Sequence, residues 1–297
     1  DIILSGDLEI HPWINVYKVW SSASTNPPDN HITKYVDSSW FTTDINGHID
    51  SKYIGNLNLN INEFEGIFLS PFNQNGNEYI KNIIDKILTN YDIQGIHLDF
   101  LRFKDSMYGY NSIARQSFYD LHNIDPVYLN KNIYLNNSMP YDSIQIIKEK
   151  WNTLKTNQVT NLLRQIKYLC GDIKLSVAVK PDIYEAKNRW HQDWENWIKS
   201  EYLDFVVLMN YNSDTFTKNL FSLNEKFNKE DKSNNIFIGI NTINSFGYKH
   251  KPLKIDLIQK QITEVDKNNF IGVSIFSYEY YKLYKLKGKN IDIFNFN

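Results

Sequence analysis

The sequence of 297 residues is poor in cysteine and in net charge, and it has no long apolar run. The single cysteine, Cys170, cannot form an intrachain disulfide or supply a cysteine-built zinc site. A formal net charge of −2 provides no basic surface for nucleic acid, so no nucleic-acid partner is expected. No apolar run approaches the ~20 residues that span a bilayer, so no membrane span is expected. Residues 1–10 also lack the basic start and apolar core of a signal peptide.

Apolar segments with the length of buried strands alternate along the chain with segments of helical periodicity. The predicted strands are Leu8–Trp20, Gly95–Phe103, Ile173–Val179, Leu203–Tyr211, Asn235–Ile243 and Ile271–Tyr278, with the shorter Gly66–Pro71 as a possible seventh. The predicted helices are Asn77–Tyr91, Trp151–Leu169, Arg189–Tyr202 and Lys254–Lys267. This alternation predicts an α/β fold in which helices connect parallel strands.

Glycine is scarce as well, which separates two α/β folds. With 12 glycines and no G-x-G-x-x-G, the sequence lacks the glycine-rich first turn of a doubly wound dinucleotide-binding sheet. We therefore expect a (β/α)8 TIM barrel, a single domain over residues 1–297. The segment from Lys104 to Lys150 is a long insertion, on the face where barrel proteins build their sites. Six or seven strands are fewer than the eight that a closed barrel needs.

The segment GIHLDFLRF, Gly95–Phe103, carries the most informative polar residues. Alternation along a strand places His97 and Asp99 on one face. Asp99 stands late in the strand, and polar groups at that end of a barrel strand are typically catalytic. The alternative is a buried ion pair of Asp99 with Arg102 or Lys180. His97 lies deeper and is interpreted as a supporting hydrogen bonder.

Several segments resemble the glycosyl-hydrolase-like family 10, TIM-barrel proteins found largely in bacteria and often extracytoplasmic. They are YDIQGIHLDFLRF (91–103), LEIHPWINVYKV (8–19), FLSPFNQNGNEYI (68–80), KLSVAV (174–179), HQDWENWIKSEYLDFVVLMNY (191–211) and GVSIFSY (272–278). The resemblance implies that these segments are strands three to eight of a barrel, so that the first two βα units are absent from this chain. It also implies a secreted or extracytoplasmic location.

Two segments also resemble the chitinase superfamily, with its D-x-x-D-x-D-x-E and M-x-Y motifs. Met209 and Tyr211 fit the second motif. The first motif fails, because Leu101 occupies the position of the catalytic glutamate when Asp99 is aligned with the last aspartate. A leucine cannot protonate a glycosidic oxygen, so chitinase chemistry is disfavoured.

The expected activity is hydrolysis of glycosidic bonds in an oligo- or polysaccharide by two carboxyl groups. Asp99 is the first and Asp182 the second, with Glu185, Asp214 and Glu279 as alternatives to Asp182. Trp194 and Trp197 are expected in the core. The candidate substrate-binding residues are His11, Trp13, Tyr17, His97, Arg102, Lys180, Asn210, Tyr211 and Tyr278.

Two other function classes stay open at this point. A non-catalytic carbohydrate-binding barrel would explain the missing glutamate at Leu101. A metal-dependent hydrolase using His11, His97 and Asp99 ranks last, since no third histidine stands at a strand end. We therefore expect no metal and no cofactor.

Overall fold

The structure, a computed structural model, describes residues 8–22, 24–53, 64–130, 140–246 and 249–279. Its contacts divide the chain into two compact units. The first comprises Asp1–Leu175 with Tyr184–Asp193, and the second Ser176–Ile183 with Trp194–Asn297. The single domain expected over residues 1–297 stays a prediction. Within the described ranges, no helix combines the length and the apolar character needed to cross a membrane.

The described part of the first unit contains short strands, three helices of 11 to 30 residues and two shorter helices. Its elements are β1 (Trp13–Asn15), β2 (Lys18–Trp20), β3 (Ile67–Phe68), α1 (Gln74–Asn90), β4 (Gly95–Asp99), α2 (Ser112–His122), α3 (Pro126–Asn130), α4 (Tyr141–Cys170), the start of β5 (Lys174–Val179) and most of α5 (Ile183–Arg189). In the described residues between β2 and β3 the chain forms the 3₁₀ turns Ile32–Lys34, Ser38–Trp40 and Asp50–Tyr53.

The predicted strand Leu8–Trp20 is two strands with different partners. β1 pairs in parallel with β4, whereas β2 pairs antiparallel with β3. The chain bends at Val16 and Tyr17, which are buried, and the Val16 N–H donates to the Asp99 carbonyl at 2.8 Å. The short segment Gly66–Pro71 is therefore not a seventh parallel strand, because its two strand residues belong to the antiparallel pair.

The predicted strand Gly95–Phe103 also ends early, at Asp99. The next residue, Phe100, has φ 52°, in the left-handed region that an extended strand cannot contain. Beyond it the chain leaves the strand direction, and the Phe103 N–H donates to the Trp190 carbonyl at 3.1 Å. The periodicity of the sequence continues past the point where the backbone turns.

The core of the first unit lies between α1, α2 and α4. Ile80 and Ile84 form the buried stripe of α1 that the sequence predicts. Trp151 of α4 stacks on Phe72, with ring centroids 6.0 Å apart, and meets Phe118 of α2 edge-on at 5.2 Å. Helix α4 begins at Tyr141, well before the predicted Trp151. The sequence pattern missed its first turns because they have few buried residues and therefore a weak apolar periodicity.

The second unit holds most of the parallel strands. After β5 its elements are α6 (Trp194–Lys199), β6 (Phe205–Leu208), α7 (Phe216–Lys226), α8 (Lys229–Asn235), β7 (Ile236–Asn241), β8 (Ile243–Phe246), β9 (Lys249–Pro252), α9 (Ile255–Lys267) and β10 (Gly272–Phe276). Strand β6 lies between β5 and β7, and β7 pairs with β10, all in parallel. The predicted parallel arrangement of these four strands is confirmed.

One predicted helix is wrong. Arg189–Tyr202 is not continuous, since α5 ends at Arg189 and α6 begins at Trp194. His191 between them has φ 59°, which no α-helix contains. The sequence also contains no clear signal for α7, α8 or the antiparallel hairpin of β8 and β9.

The close packing of β6 against β7 yields a prediction for Gly239. A Cβ at this position would lie 2.5 Å from the Leu208 carbonyl oxygen, which is backbone and cannot swing away. Gly239→Ala should therefore lower the free energy of unfolding by ~1–3 kcal/mol, the usual cost of overpacking, as measured by urea denaturation.

Gly76 in helix α1 provides the control for this measurement. A Cβ there would meet its nearest atom at an ordinary 3.5 Å. Gly76→Ala should leave stability unchanged or raise it by ~0.5–1 kcal/mol, because alanine is the better helix former. Equal effects of the two substitutions would contradict the packing described for β6 and β7.

Candidate functional site

Strands β1 and β4 bring two predicted site residues together in the first unit. Their register places Trp13 opposite His97, and Asn15 opposite Asp99. The Trp13 ring meets the His97 ring edge-on, with centroids 5.8 Å apart, while 53% of Trp13 remains exposed. An exposed indole therefore lies on the strand beside the one that carries Asp99.

His97 is held in its neutral form. Burial lowers the pKa of His97 to about 4, and the neighbouring His11 contributes in the same direction. The His11 ring packs over Gly95, where a Cβ would come within 2.3 Å of it. Glu9 orients His11 through its Nε2 at 3.0 Å and also pairs with Lys174 at 2.5 Å. The supporting role that the sequence predicts for His97 stays a prediction.

Asp99 is the last residue of β4 and is 6% exposed. Its Oδ1 accepts a hydrogen bond from the Phe100 N–H at 2.6 Å, so the left-handed turn orients the carboxylate. The Asp99 charge interacts favourably with the Lys18 ammonium group. The Lys18 Nζ also lies 4.4 Å from the centre of the Phe100 ring. Burial lowers the pKa of Lys18, although Glu65 and Asp99 oppose the shift.

Arg102 has an ion-pair partner that the sequence analysis did not identify. Its Nη2 donates to Glu65, which precedes β3, while its Nη1 donates to the carbonyls of Phe103 and Lys104 at 3.1 and 3.4 Å. The guanidinium lies 4.8 Å from the Phe100 ring centre and is 2% exposed. Glu65 could not be found from the sequence, because it lies 37 residues away in a segment without periodicity.

Tyr17 is fully buried, and its hydroxyl has no hydrogen-bond partner among the described residues. Burial raises the pKa of this hydroxyl well above its usual value. A ring so enclosed cannot stack on a sugar unless the surrounding residues move. Its role in substrate binding stays a prediction.

The other predicted site residues belong to the second unit and occupy different environments. Asn210 is 1% exposed and fastens the loop after β6: its Nδ2 donates to the Phe216 carbonyl at 3.2 Å, and its Oδ1 accepts from Asn219 at 2.7 Å. Tyr211 stacks on Phe276 with centroids 5.7 Å apart. Asp182 and Tyr278 are exposed, whereas Lys180 is half-buried.

The remaining sequence predictions on side chains concern tryptophan and metal ligands. Trp194 and Trp197 are fully buried, which confirms their assignment to the core. In the described part of the chain, no three His, Cys, Asp or Glu side chains are grouped so that they could hold a metal ion.

Parallel strands connected by helices, with a carboxylate where one strand ends, define an α/β protein. A solved structure of this kind is similar to the chain: the PgaB (BpsB) glycoside hydrolase domain from Bordetella bronchiseptica, at a TM-score of 0.60 and 11% identity, over 93% of this chain and 72% of that one. At this identity the likeness concerns the fold. The spore cortex-lytic enzyme SleL of Bacillus megaterium QM B1551 matches with a TM-score of 0.44 and 11% identity, over 95% of this chain and 68% of that one.

The family is shown by sequence. Residues 5–252 match the Glycosyl hydrolase-like 10 family, and the chain belongs to this family. The resemblance found in the sequence is thereby confirmed. No curated protein matches the chain.

The depressed pKa of His97 predicts a dependence of stability on pH. The folded group titrates at about 4 and an ordinary histidine at 6.5, so the unfolded chain binds more protons between these values. The free energy of unfolding should therefore fall as pH is lowered from 6.5 towards 4, by at most ~3 kcal/mol from this residue. Urea denaturation across this range measures the effect.

His97→Gln removes the titrating group and should flatten the curve in this window. The wild-type protein is the reference, and the difference between the two curves isolates His97, because His191, whose pKa burial also lowers, is present in both proteins. Parallel curves would show that His97 is not the buried neutral group described above.

Proposed function

We propose that the chain is a glycoside hydrolase that acts on an oligo- or polysaccharide, with Asp99 as one of its two catalytic carboxyl groups. The observation that carries this proposal is the position of Asp99. It is a nearly buried carboxylate at the carboxyl end of a parallel strand, in a chain of the Glycosyl hydrolase-like 10 family. Residues at this end of such strands form the active sites of TIM-barrel enzymes.

The surroundings of Asp99 suit a group that must be held in a fixed direction. The Phe100 N–H fixes one carboxylate oxygen at 2.6 Å, and the exposed Trp13 ring stands on the adjacent strand. A carboxyl group that is already oriented accelerates a reaction, because the entropy cost of orienting it is not part of the activation barrier. A sugar stacked on Trp13 would be bound close to β4.

The second carboxyl group is proposed from the sequence. Asp182 comes three positions after the last residue of β5 and is exposed, as are the alternatives Glu185, Asp214 and Glu279. Single substitutions of these four by the corresponding amide identify the partner, since only its loss should reduce turnover as strongly as loss of Asp99. The remaining candidate substrate-binding residues are proposals of the same kind: His11, Tyr17, His97, Arg102, Lys180, Asn210, Tyr211 and Tyr278.

We also propose a fold for the whole chain. The parallel pairs of β1 with β4, and of β5, β6, β7 and β10, are proposed to be strands of a (β/α)8 barrel. An extracytoplasmic location is proposed from the family resemblance alone.

A second candidate function is carbohydrate binding without catalysis. Leu101 favours it, because this residue stands in the place of the chitinase glutamate and is fully buried. Release of reducing sugar from a panel of glycol chitin, laminarin and soluble xylan decides between the two functions. Binding without any release would support the second.

Replacing Asp99 by Asn tests the catalytic role. Asn retains the size of the side chain but removes the charge and the acid, so turnover should fall at least ~100-fold. The melting temperature should hold or rise, because a nearly buried charge is removed. Initial rates of sugar release and a thermal melt give both quantities.

Asp92→Asn serves as the matched control, since Asp92 is exposed and lies outside β4. It should leave both rate and melting temperature unchanged. The catalytic role would be refuted by Asp99→Asn protein that loses several kcal/mol of stability but keeps its activity per folded molecule. That pattern belongs to an ion pair that only stabilises the fold.

Trp13→Ala tests the stacking platform. Loss of an exposed ring that contacts a sugar should raise the Michaelis constant about 10-fold, or ~1.4 kcal/mol, with a smaller change in turnover. Tyr35→Ala is the control, because Tyr35 is 63% exposed and is not a predicted site residue. Identical kinetics of the two variants would exclude Trp13 from the substrate site.

A further inference from the structure

The insertion that follows β4 contains a pocket that the proposed active site does not use. This pocket, the α2–α3 pocket, lies between α2 and α3 and has a volume of about 420 Å³. It is lined by Ser112, Arg115, Gln116, Tyr119, Asp125 and Tyr128. Its volume falls within the range of small-molecule sites.

Two exposed aromatic rings flank the α2–α3 pocket. Tyr119 comes from α2 and is 46% exposed, while Tyr128 comes from α3 and is 43% exposed. Both side chains are therefore partly exposed to solvent, on helices joined by a short turn. Aromatic rings of this kind provide a flat apolar surface with a polar hydroxyl at its edge.

A rigid ion pair provides the polar groups of the pocket. Arg115 binds Asp125 through two hydrogen bonds, one from Nε to Oδ1 at 3.0 Å and one from Nη2 to Oδ2. The same Oδ1 accepts the Val127 N–H at 3.0 Å, so the carboxylate is fixed to the start of α3. A bidentate arginine–carboxylate pair fixes the orientation of both side chains before any ligand binds.

The charges of the α2–α3 pocket cancel. Burial raises the pKa of Asp125, but the hydrogen bonds from Arg115 and from the Val127 N–H, together with the Arg115 charge, outweigh burial and lower this pKa. The hydrogen bond to Asp125 raises the pKa of Arg115. Both groups are therefore ionised at neutral pH, and the other lining residues are uncharged. A ligand with a strong net charge of either sign would gain little here.

A pyranose ring matches these features. It is neutral, one of its faces is apolar enough to stack on an aromatic ring, and its hydroxyl groups bond to planar side chains such as guanidinium, carboxylate and amide. Arg115, Asp125 and Gln116 line the pocket together with the tyrosines and carry these three planar groups, and the Gln116 Nε2 also donates to Asp120 at 2.7 Å. We propose that the α2–α3 pocket is a second saccharide-binding site, which holds one or two sugar units of the polysaccharide. This inference rests on the proposed function.

Affinity electrophoresis in native gels tests the second site. The gels contain glycol chitin, laminarin or soluble xylan, and all variants carry Asp99→Asn so that the polysaccharide is not cleaved. Retardation as a function of polysaccharide concentration gives the dissociation constant. The double variant Tyr119→Ala/Tyr128→Ala should bind at least ~10-fold more weakly than its parent, since each lost stacking ring contributes on the order of 1 kcal/mol.

Two control variants make the result specific. Tyr91→Ala removes a tyrosine that is 66% exposed and does not line the pocket, so it should bind like the parent. Tyr119→Phe/Tyr128→Phe keeps both rings and should retain most of the affinity, which separates stacking from loss of the hydroxyls. Thermal melts of all variants confirm that each is folded.

The outcomes for the two proposals can be distinguished. Wild-type protein that releases sugar, combined with a double alanine variant that binds as tightly as the Tyr91→Ala control, overturns the second site and leaves the proposed function intact. Wild-type protein that neither cleaves nor is retarded by any of the three polysaccharides overturns both. A ~10-fold loss confined to the double alanine variant supports the second site.

Discussion

The candidate site depends on how the backbone after β4 satisfies its hydrogen bonds once the strand has ended. From Phe100 to Tyr110 the chain has no helix and is mostly buried, so its carbonyl groups have neither regular partners nor much water. Buried cations supply the donors. Arg102 donates to the carbonyls of Phe103 and Lys104, and Lys155 donates to those of Ser106 and Tyr108 at 2.9 and 3.5 Å. Unpaired buried carbonyls would cost about 1–3 kcal/mol each.

These cations are themselves compensated in different ways. Arg102 pairs with Glu65, whereas Lys104 binds Asp50 at 2.6 Å and Tyr108 at 3.0 Å. Lys155 instead lies among aromatic rings, 5.6 Å from the Trp151 ring centre and 5.7 Å from that of Phe103. Burial lowers its pKa to about 7, so it is the cation of this group whose charge depends on pH near neutrality. Removing one partner of a buried ion pair typically costs ~3–5 kcal/mol, so the segment after Asp99 is strongly coupled to the segment before β3. The hydrogen bonds of Lys155 also connect it to α4.

The sequence predicted those features that depend on local pattern. The parallel strands of the second unit, the apolar stripe of α1 and the polar face of GIHLDFLRF follow from residue periodicity alone. The end of β4, the bend at Val16 and the break before Trp194 depend on backbone turns and on partners distant in sequence, which no local pattern reveals. Glu65 lies 37 residues from Arg102, and Asp50 lies 54 residues from Lys104. The role of Asp99 was inferred from its place in a strand, whereas the residues that hold it there required the structure.

One short apolar segment carries three polar side chains because each is stabilised in a different way. His97 avoids the cost of a buried charge by remaining neutral, and His11, its nearest basic neighbour, favours that state. Arg102 cannot lose its proton at any physiological pH, so it requires Glu65 and the two carbonyls. Asp99 accepts from the Phe100 amide and lies within the field of Lys18. His97 in the middle of β4 therefore bears no charge, whereas the carboxylate at the end of β4 is held by the N–H of the left-handed turn and by a nearby cation, as a nearly buried charge requires.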